Sequence, residues 1–342
     1  LTQGKYCEEF ERKFAEYIGT KYALTCSNGT AALELILRAL RIGQGDEVII
    51  PTNTFAATAF AVIHTGARPR FADIKSDLHV DPSDVKRRIT PRTKAIMTVH
   101  IGGWISDGLP ELIDLCEDKG LYLIEDAAHA HGSMYNGKKA GSFGIAAGFS
   151  FFSTKVMTTG EGGMVTTNNE EVAERIKLLR NQAKVKGNWV GDIGYNWRMT
   201  EFQAIIGLAQ LDLLEEIIEK RTIVAKLYDE MLRDMQHIQV FKPSAKCRPN
   251  YYKYIVFLDK SVDPERIRFL LKEKYNISLS GYVYEAPLHM QMPLKRYSDP
   301  GGYPVAEDLC FHHLAMPIYP QMTEYEVHYV ARCLRKALAS TV

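Results

Sequence analysis

The sequence lacks closely spaced cysteine pairs, long apolar runs and an excess of either charge. Its six cysteines are scattered with no CxxC pair, which argues against a disulfide scaffold or zinc site and predicts a cytoplasmic protein. No apolar run is long enough to span a bilayer, and we expect no signal peptide. The 42 basic and 41 acidic residues leave a net charge of +1 without a block of like charge, so we expect neither a nucleic-acid groove nor a membrane surface.

Two cofactor motifs and a metal-ligand set are also missing. The GxGxxG fingerprint of dinucleotide-binding proteins is absent. The stretch 132–139, GSMYNGKK, is close to a phosphate-binding P-loop, but Lys139 stands where Ser or Thr would bind magnesium, and no clear strand precedes it. Asp126, His129 and His131 match no standard metal-ligand spacing and lack an evident fourth ligand, so we predict no metal site.

The sequence contains a regular alternation of β-rich and helical segments. Short apolar runs predict strands, and apolar residues at helical spacing predict the helices between them. This alternation predicts an α/β fold, with parallel strands, right-handed crossovers and a sheet covered on both faces. Strands are expected near 21–26, 47–50, 69–72, 93–99, 121–124, 146–152 and 164–167, and helices near 8–18, 31–42, 56–64, 109–119, 170–181 and 201–233.

The length and a change of pattern predict two domains. With 342 residues, 46% of them hydrophobic, the chain can form a large and a smaller domain with separate cores. From about residue 235 the pattern becomes α+β, with a strand near 252–258 and helices near 264–274 and 323–339. We expect a large domain over 1–215 and a small C-terminal domain over 216–342. The long helix 201–233 links them and has one apolar face: Phe202, Ile205, Ile206, Ala209, Leu213 and Ile217.

Four polar clusters follow predicted strands and are expected to form one site. They cover residues 27–30, 52–55, 126–131 and 150–155, and ligands of open α/β sheets bind beyond the carboxyl ends of strands. The first cluster, SNGT, lies between a strand and a helix, where free N–H groups and the helix dipole favour an anion. Taken alone, a helix cap at Ser27 or Thr30 is the better explanation of this cluster.

Lys155 lies between two apolar β-rich runs. Burial lowers the pKa of a lysine and makes its amine a nucleophile towards carbonyl groups, whereas a solvated loop lysine is the simpler alternative. Asp126 follows another apolar run, where a helix cap is again a simpler role. Combined with the anion cradle and an aromatic residue, Lys155 and Asp126 suit pyridoxal phosphate (PLP). That cofactor needs a lysine for a Schiff base and an anion at its ring nitrogen.

Five motifs occur in order between residues 27 and 203, and C-terminal pieces at 287–289 and 317–320 extend the pattern over nearly the whole chain. The five motifs are SNGTAAL at 27–33, PTNTFAAT at 51–58, EDAAHAHG at 125–132, the stretch 150–163 and GYNWRMTEFQ at 194–203. On these residues the chain resembles the DegT/DnrJ/EryC1/StrS family, the sugar aminotransferases of fold type I. The resemblance implies an aspartate-aminotransferase-like large domain with a central, mostly parallel seven-stranded sheet, and a smaller C-terminal α+β domain.

The resemblance also implies the catalytic residues. Lys155 would carry PLP as an internal aldimine and would move a proton between the cofactor and the substrate carbon. Asp126 would pair with the pyridinium nitrogen. His129 would lie beside the ring and its phenolic oxygen, although a core histidine bonded to backbone is an alternative reading of the same residue.

The other cofactor contacts follow from the same resemblance. Phe55 occupies the place of the aromatic residue that stacks on the ring, with a plain core position as its alternative. Gly29, Thr30 and Ser150 would bind the phosphate. Asn196 would reach the phosphate of the neighbouring subunit's cofactor, which implies a homodimer with shared active sites. A loop-capping asparagine is the alternative at Asn196.

The implied activity is that of a PLP-dependent aminotransferase. It would take an amino group from an amino acid donor, L-glutamate being expected, and aminate a keto group of a nucleotide-linked sugar for aminosugar, polysaccharide or glycoside biosynthesis. Arg198 and His289 are the expected cationic contacts to the substrate, with solvated positions as the equal alternative. Val156 stands where the family often has Asn, which keeps a cyclitol or another non-nucleotide ketone open as the acceptor.

Two other functions are conceivable for the same set of residues. A sugar dehydratase of the same fold would have histidine in place of the lysine, so Lys155 argues against it. A regulatory protein that binds PLP without turnover would lack a reason to keep Lys155, Asp126 and His129 together. A change in the cofactor spectrum on adding an amino donor would separate that protein from an enzyme.

Overall fold

The computed structural model describes residues 1–341, so Val342, the last residue of the predicted small domain, lies outside the described residues. Its strands alternate with helices through the first half of the chain, as the sequence predicted. The strands are β1 Tyr22–Cys26, β2 Glu47–Pro51, β3 Arg68–Ala72, β4 Thr93–Val99, β5 Tyr122–Asp126, β6 Met134–Tyr135, β7 Lys138–Lys139, β8 Ala146–Ser150, β9 Gly163–Thr167, β10 Lys184–Lys186, β11 Trp189–Val190, β12 Ile238–Val240, β13 Cys247–Arg248, β14 Tyr254–Leu258 and β15 His313–Met316.

The helices cover the sheet and build the C-terminal part. The longest is α7, with 32 residues. Within residues 1–341, no helix combines the length and apolar character needed to cross a membrane. The helices are α1 Lys5–Ile18, α2 Gly29–Ala39, α3 Ala56–His64, α4 Pro82–Arg88, α5 Leu109–Lys119, α6 Glu170–Arg180, α7 Glu201–Leu232, α8 Pro264–Phe269, α9 Pro304–Phe311 and α10 Glu324–Ala339.

The central sheet has seven strands in the order β1-β9-β8-β5-β4-β2-β3. The pairs β2–β3, β2–β4, β4–β5 and β5–β8 are parallel, whereas β9 runs antiparallel to both β8 and β1. The prediction of a mostly parallel seven-stranded sheet in an α/β fold is therefore confirmed. The parallel strands bring the carboxyl ends of β5 and β8 to one edge, where Asp126 and Ser150 lie side by side in the strand order.

Several element boundaries follow from helix caps. Helix α2 begins at Gly29, two residues before the predicted start, because the Asn28 side chain accepts the N–H of Ala31. Helix α7 begins with a capping box formed by Thr200 and Gln203. The P-loop-like stretch 132–139 contains the short hairpin β6–β7, turned by Asn136 and Gly137, both with positive φ. That hairpin agrees with the rejection of a P-loop.

Two hydrophobic cores are present. One lies around the central sheet and reaches from Cys7 to Ile218, with additions such as Cys247 and Tyr303 from the C-terminal part. The other runs from Val224 to Leu338 and contains buried residues of α7, β14, β15 and α10. The division at residue 215 remains a prediction, although the second core begins close to it.

Helix α7 buries one face and exposes another. Its narrow core face includes Gly207, where an added Cβ would lie 2.6 Å from the ring of Phe10. Most of the apolar face that the sequence predicted points instead to solvent: Phe202 is 62% exposed, and Ile205, Ile206 and Leu213 are exposed as well, whereas Ile217 packs on the core. A row of large exposed apolar residues is unusual for an isolated chain and typical of a protein interface.

Candidate active site

A cavity of about 780 Å³ lies where the predicted polar clusters meet. Its large-domain wall includes residues 27–31, Phe55, Asp126, His129, Ser150 and Lys155. Residues of the C-terminal part close the other side: Tyr252, Lys253, Tyr282, Val283 and Tyr284. The structure thus brings together all of the predicted catalytic residues and, apart from Asn196, all of the predicted cofactor contacts.

The loop between β1 and α2 forms an anion cradle. Asn28 caps α2 through Ala31, and among residues 1–341 no hydrogen bond uses the N–H groups of Gly29 and Thr30. A Cβ at Gly29 would lie 2.8 Å from the Cβ of Ser150, so only glycine lets the loop approach β8 this closely. Free amides at a helix N-terminus next to a serine hydroxyl suit a phosphate group.

Asp126 is a buried carboxylate at the end of β5. Its Oδ2 accepts the hydroxyl hydrogen of Thr58 at 2.8 Å, and its Oδ1 accepts the N–H of Ala128 at 3.2 Å. Burial raises the pKa of Asp126, while these hydrogen bonds and the charge of Lys155 oppose that rise. The described salt bridges do not include Asp126, so its charge is supported by neutral donors and would gain from a cation placed in the cavity.

The neighbouring Glu125 points away from the cavity and holds the strand end in place. Its carboxylate accepts the N–H groups of Gly141, Phe143 and Gly144 and lies 2.8 Å from Nε2 of His100. These hydrogen bonds and His100 outweigh burial and lower the pKa of Glu125. The two adjacent carboxylates therefore have different roles: Glu125 is satisfied by the protein, and Asp126 faces the cavity.

Lys155 lies in the turn after β8, where its backbone N–H donates to the carbonyl oxygen of Phe152. Its Nζ lies 4.9 Å from the centre of the Tyr252 ring. Burial lowers the pKa of Lys155 to about 8, against the charge of Asp126, which raises it. A minor part of this amine is therefore uncharged and nucleophilic at neutral pH, and most of it is above about pH 8.

His129 is packed between aromatic rings. Its ring centre lies 4.3 Å from that of Tyr252 and 6.0 Å from that of Tyr284. Burial, followed by the charge of Lys155, holds the pKa of His129 well below its usual range, so the ring is neutral. Because Nδ1 accepts the N–H of Gly102 at 3.3 Å, the ring hydrogen lies on Nε2. The cavity is therefore lined by a neutral histidine with a hydrogen to donate.

Asn250 anchors the His129 loop to the C-terminal part. Its Nδ2 donates to the carbonyl oxygens of His129 and His131, at 2.8 and 3.0 Å. Its backbone N–H donates to the carbonyl oxygen of Gly103 at 3.0 Å. Gly103 has a φ of +97°, and a Cβ there would collide with the Asn250 side chain. Sequence reasoning missed Asn250, Tyr252 and Lys253, although the polar and aromatic run 250–254 was a signal that could have been used.

Three predicted residues do not line this cavity within the subunit. Asn196 is exposed, and its backbone pairs with Asn181. Arg198 donates from Nη1 to the side-chain oxygen of Asn181 at 3.0 Å. His289 is buried, with Nδ1 2.7 Å from the Thr52 hydroxyl. Their roles towards cofactor or substrate remain predictions. Phe55 does line the cavity and is 65% exposed, so its predicted alternative as a core residue does not apply.

The sequence also matches a protein family as a whole. Residues 1–335 match the family described as the DegT/DnrJ/EryC1/StrS aminotransferase family. The chain belongs to the DegT/DnrJ/EryC1/StrS aminotransferase family. It is therefore an enzyme of a PLP-dependent aminotransferase family, and the resemblance noted on its motifs is confirmed.

Individual members of the DegT/DnrJ/EryC1/StrS family are similar over nearly their full length. GDP-perosamine synthase of Vibrio cholerae is 38% identical over 340 residues, covering 98% of this chain and 91% of that protein. The dTDP-3-amino-3,6-dideoxy-α-D-galactopyranose transaminase of Aneurinibacillus thermoaerophilus is 37% identical over 339 residues, covering 97% and 90%. The PLP form of Spr1654 from Streptococcus pneumoniae superposes with a TM-score of 0.93 at 27% identity, covering 100% and 93%, which confirms fold type I.

The cavity residues fit the PLP of this family. The cradle at Gly29, Thr30 and Ser150 offers unused donors to a phosphate. Asp126 is a buried carboxylate that forms no salt bridge within residues 1–341, and a protonated ring nitrogen can supply the missing positive charge. Lys155 supplies an amine whose pKa is lowered to about 8 in the same cavity. The three sets of groups match the phosphate, the ring nitrogen and the aldehyde of one molecule.

Proposed function

We propose that this protein transfers an amino group from an amino acid donor, L-glutamate being expected, to a keto group of a nucleotide-linked sugar. The observation that carries the proposal is the convergence of Lys155, Asp126 and the phosphate cradle on one cavity. The names of the curated relatives support the nucleotide-sugar acceptor, since they refer to GDP-perosamine and to a dTDP-linked aminosugar. The expected setting is aminosugar biosynthesis.

In this proposal each cavity residue has a physical task. Lys155 would hold the cofactor covalently through Nζ and would accept and return the proton of the substrate carbon. PLP supplies an electron sink for the electron pair that this proton leaves behind. Asp126 keeps a proton on the ring nitrogen, and the Nε2 hydrogen of His129 serves as a donor at the ring's edge.

The aromatic side chains control orientation and access to water. Tyr252 and Tyr284 flank His129 on the C-terminal side, and the pKa of each tyrosine is raised by burial, so both stay neutral. Phe55 lies exposed at the cavity wall, where a partner molecule or the cofactor ring can cover it. The neutral aromatic side chains beside Lys155 desolvate its amine, which favours the uncharged form and slows hydrolysis of a covalent link.

Half-reactions test the proposed function. We expect L-glutamate alone to shift the absorption spectrum of the holoenzyme, because the amino group moves to the cofactor before any acceptor binds. A panel of keto-sugar nucleotides should then restore the original spectrum and give initial-rate patterns typical of a ping-pong mechanism. A spectrum that no amino donor changes would favour the regulatory protein, and restoration by a cyclitol ketone alone would replace the nucleotide-sugar acceptor.

We further propose a homodimer with shared active sites. The exposed apolar face of α7 includes the large side chains of Phe202, Ile205 and Ile206. Such a row of exposed apolar side chains supports an interface with another subunit. The β10–β11 hairpin adds Trp189, which is 78% exposed. Asn196 follows that hairpin and is itself exposed, so it is free to reach a neighbouring subunit.

A cytoplasmic location is proposed as well, supported by six buried cysteines that are all unpaired.

A mixed dimer tests whether Asn196 acts across the interface. The Asn196→Ala homodimer is expected to bind PLP weakly, and the Lys155→Ala homodimer to be inactive. Mixing the two variants creates one site with an intact Lys155 and an intact Asn196 only if that asparagine comes from the other subunit. We then expect roughly half of the wild-type activity per mixed dimer, because one of the two sites is complete. Activity no higher than that of the Asn196→Ala homodimer would place Asn196 in its own subunit's site.

A further inference from the structure

Lys253 is a second lysine in the cavity, and the proposed chemistry does not use it. It lies directly before β14 and lines the cavity with Lys155. The Nζ atoms of Lys155 and Lys253 lie 4.9 and 5.3 Å from the centre of one ring, that of Tyr252. The two Nζ atoms therefore lie no farther apart than the sum of these two distances, a separation that one substrate molecule can span.

The charge of Lys253 has no counter-charge in the described chain. Within residues 1–341 the lysines that form salt bridges are Lys13, Lys177, Lys220 and Lys260. Burial lowers the pKa of Lys253 to about 8, and the neighbouring charge that lowers it further is another cation, Arg221. A partly buried ammonium without a carboxylate is costly unless an anion joins it.

Arg221 adds a second positive charge beside Lys253 and brings no carboxylate with it. Its side chain is buried, and its Nη1 donates to the carbonyl oxygens of Tyr251 and Ile318, at 3.0 and 3.2 Å. Its Nε is buried without a partner among the described residues. Three acidic residues line the cavity: Glu34 pairs with Arg38, Asp126 accepts a hydrogen bond from Thr58, and Glu161 is the third. Within residues 1–341 neither Lys253 nor Arg221 forms a salt bridge with any of them, so their positive charges stand together without a paired carboxylate.

The hydrogen bonds of Lys253 indicate what kind of anion fits. An ammonium group has three hydrogens to donate, and one is used by the carbonyl oxygen of Ser280. Two hydrogens remain, which match the two oxygens of one carboxylate. A diphosphate would call for several cationic side chains in the cavity, whereas Arg221 is not among its described lining residues and Lys155 is assigned to the cofactor.

We propose that Lys253 binds a carboxylate group of a substrate, next to the nitrogen of Lys155. The amino donor always carries such a group, one bond from the carbon that holds the amine. A carboxylate on the sugar acceptor is the other source of the same chemistry. This inference rests on the proposed transamination for its choice of ligand, while the binding itself does not require turnover.

Equilibrium binding to the holoenzyme tests the inference without turnover. Glutarate has the carboxylates of glutamate and no amine, so it binds without reacting, and its affinity is measured by calorimetry. Lys253→Met and Lys253→Gln are expected to weaken glutarate binding roughly 10- to 100-fold, as loss of a charged hydrogen bond predicts. Lys253→Arg should retain most of the affinity. Lys242→Met removes an exposed lysine from the same part of the chain and should change nothing.

A second arm identifies the source of the carboxylate. KM is compared for L-glutamate, for a keto-sugar nucleotide with a carboxylate and for one without. A rise in KM for glutamate assigns Lys253 to the donor, and a rise confined to the carboxylated acceptor assigns it to the acceptor. The absence of transamination in the wild-type enzyme would overturn the proposed function and leave the glutarate result to decide the role of Lys253.

The variants also separate binding from a structural role. Lys253→Gln keeps a donor for the carbonyl oxygen of Ser280 but loses the charge, so its melting temperature should match that of the wild type. If the Gln and Met variants bind glutarate as tightly as the wild type, the inference is wrong. It is equally wrong if both variants lose affinity for glutarate and for its uncharged diamide to the same extent, because that pattern indicates a distorted cavity.

Discussion

Replacing Lys155 by alanine is expected to abolish transamination while leaving the fold intact. Burial lowers the pKa of the Lys155 amine to about 8, and the carboxylate of Asp126 acts on the same amine. Its removal takes away both the covalent attachment and the base that moves the substrate proton. Its backbone contact to Phe152 does not depend on the side chain, so the turn should persist.

The measurement combines turnover with a chemical readout. Borohydride reduction followed by peptide mapping should place the cofactor on the peptide that contains Lys155 in the wild type and on no peptide in the variant. PLP held by the cradle without a covalent bond should still dissociate slowly enough to be detected by filtration. Lys94→Ala, on an exposed lysine of β4, is the matched control and should behave as the wild type.

The pH dependence of PLP capture by the apoenzyme tests the same role of Lys155. Because burial lowers the pKa of Lys155 from 10.5 to about 8, the uncharged amine predominates above that pH. The rate at which the apoenzyme captures PLP in a reducible form should rise with pH and level off above about 8. A rate that continues to rise towards pH 10 would show that Lys155 is not desolvated, and full turnover by Lys155→Ala would remove it from the mechanism.

The sequence was informative about the large domain because its elements have strong local signals. Helix α3 at Ala56–His64 and strand β4 at Thr93–Val99 have the predicted boundaries, since apolar periodicity and flanking breakers agree there. Gly29 and Asp126 could be placed in one site because both follow strands of a parallel sheet. The topology converts local order along the chain into proximity in space.

The C-terminal wall of the site could not be predicted in the same way. Strands β12, β13 and β15 have two to four residues, too few to show a period, and they pair with segments far away in sequence. Lys253 and Tyr252 reach the cavity only through this packing. The antiparallel direction of β9 was also missed, because a strand's direction depends on its partner and not on its composition.

The apolar face of α7 shows a different limit of sequence reasoning. Periodicity correctly placed Phe202, Ile205 and Leu213 on one side of the helix, yet that side is exposed in the single chain. An apolar stripe indicates burial against something and does not say whether the partner is the same chain or another. The small residues Ala204 and Gly207 allow the opposite side to pack closely on α1.

The second large effect is expected for Asp126→Asn, which should lower the rate of the glutamate half-reaction roughly a thousandfold or more, about 4 kcal/mol of transition-state stabilisation. A carboxylate holds a proton on the ring nitrogen of PLP, and a neutral amide of the same size cannot. Because Asn keeps the volume of Asp, no cavity forms. Its single oxygen can still accept the N–H of Ala128, and its amide nitrogen then faces the Thr58 hydroxyl, which can turn to accept and to donate to Thr54.

Stability separates this effect from a folding defect. Burial raises the pKa of Asp126, so the ionised form is disfavoured in the folded apoenzyme relative to the unfolded chain. A carboxyl group whose pKa is higher in the folded protein than in the unfolded chain stabilises the fold when it is protonated. That contribution is fully present below the pKa of the unfolded chain and is lost as pH rises through the pKa of the folded protein. Above that range, therefore, the apoenzyme of the neutral Asp126→Asn variant should melt at the same temperature as the wild type or higher.

The two measurements together decide the role of the carboxylate. Asp114→Asn removes an exposed carboxylate on α5 and serves as the matched control for rate and melting temperature. A slow variant that is at least as stable as the wild type means that Asp126 is not needed for the fold of the apoenzyme and acts on the charge of the bound cofactor. A near-normal half-reaction in Asp126→Asn would show that another group serves the ring nitrogen, and the assignment of the cavity to PLP would then rest on Lys155 and the phosphate cradle.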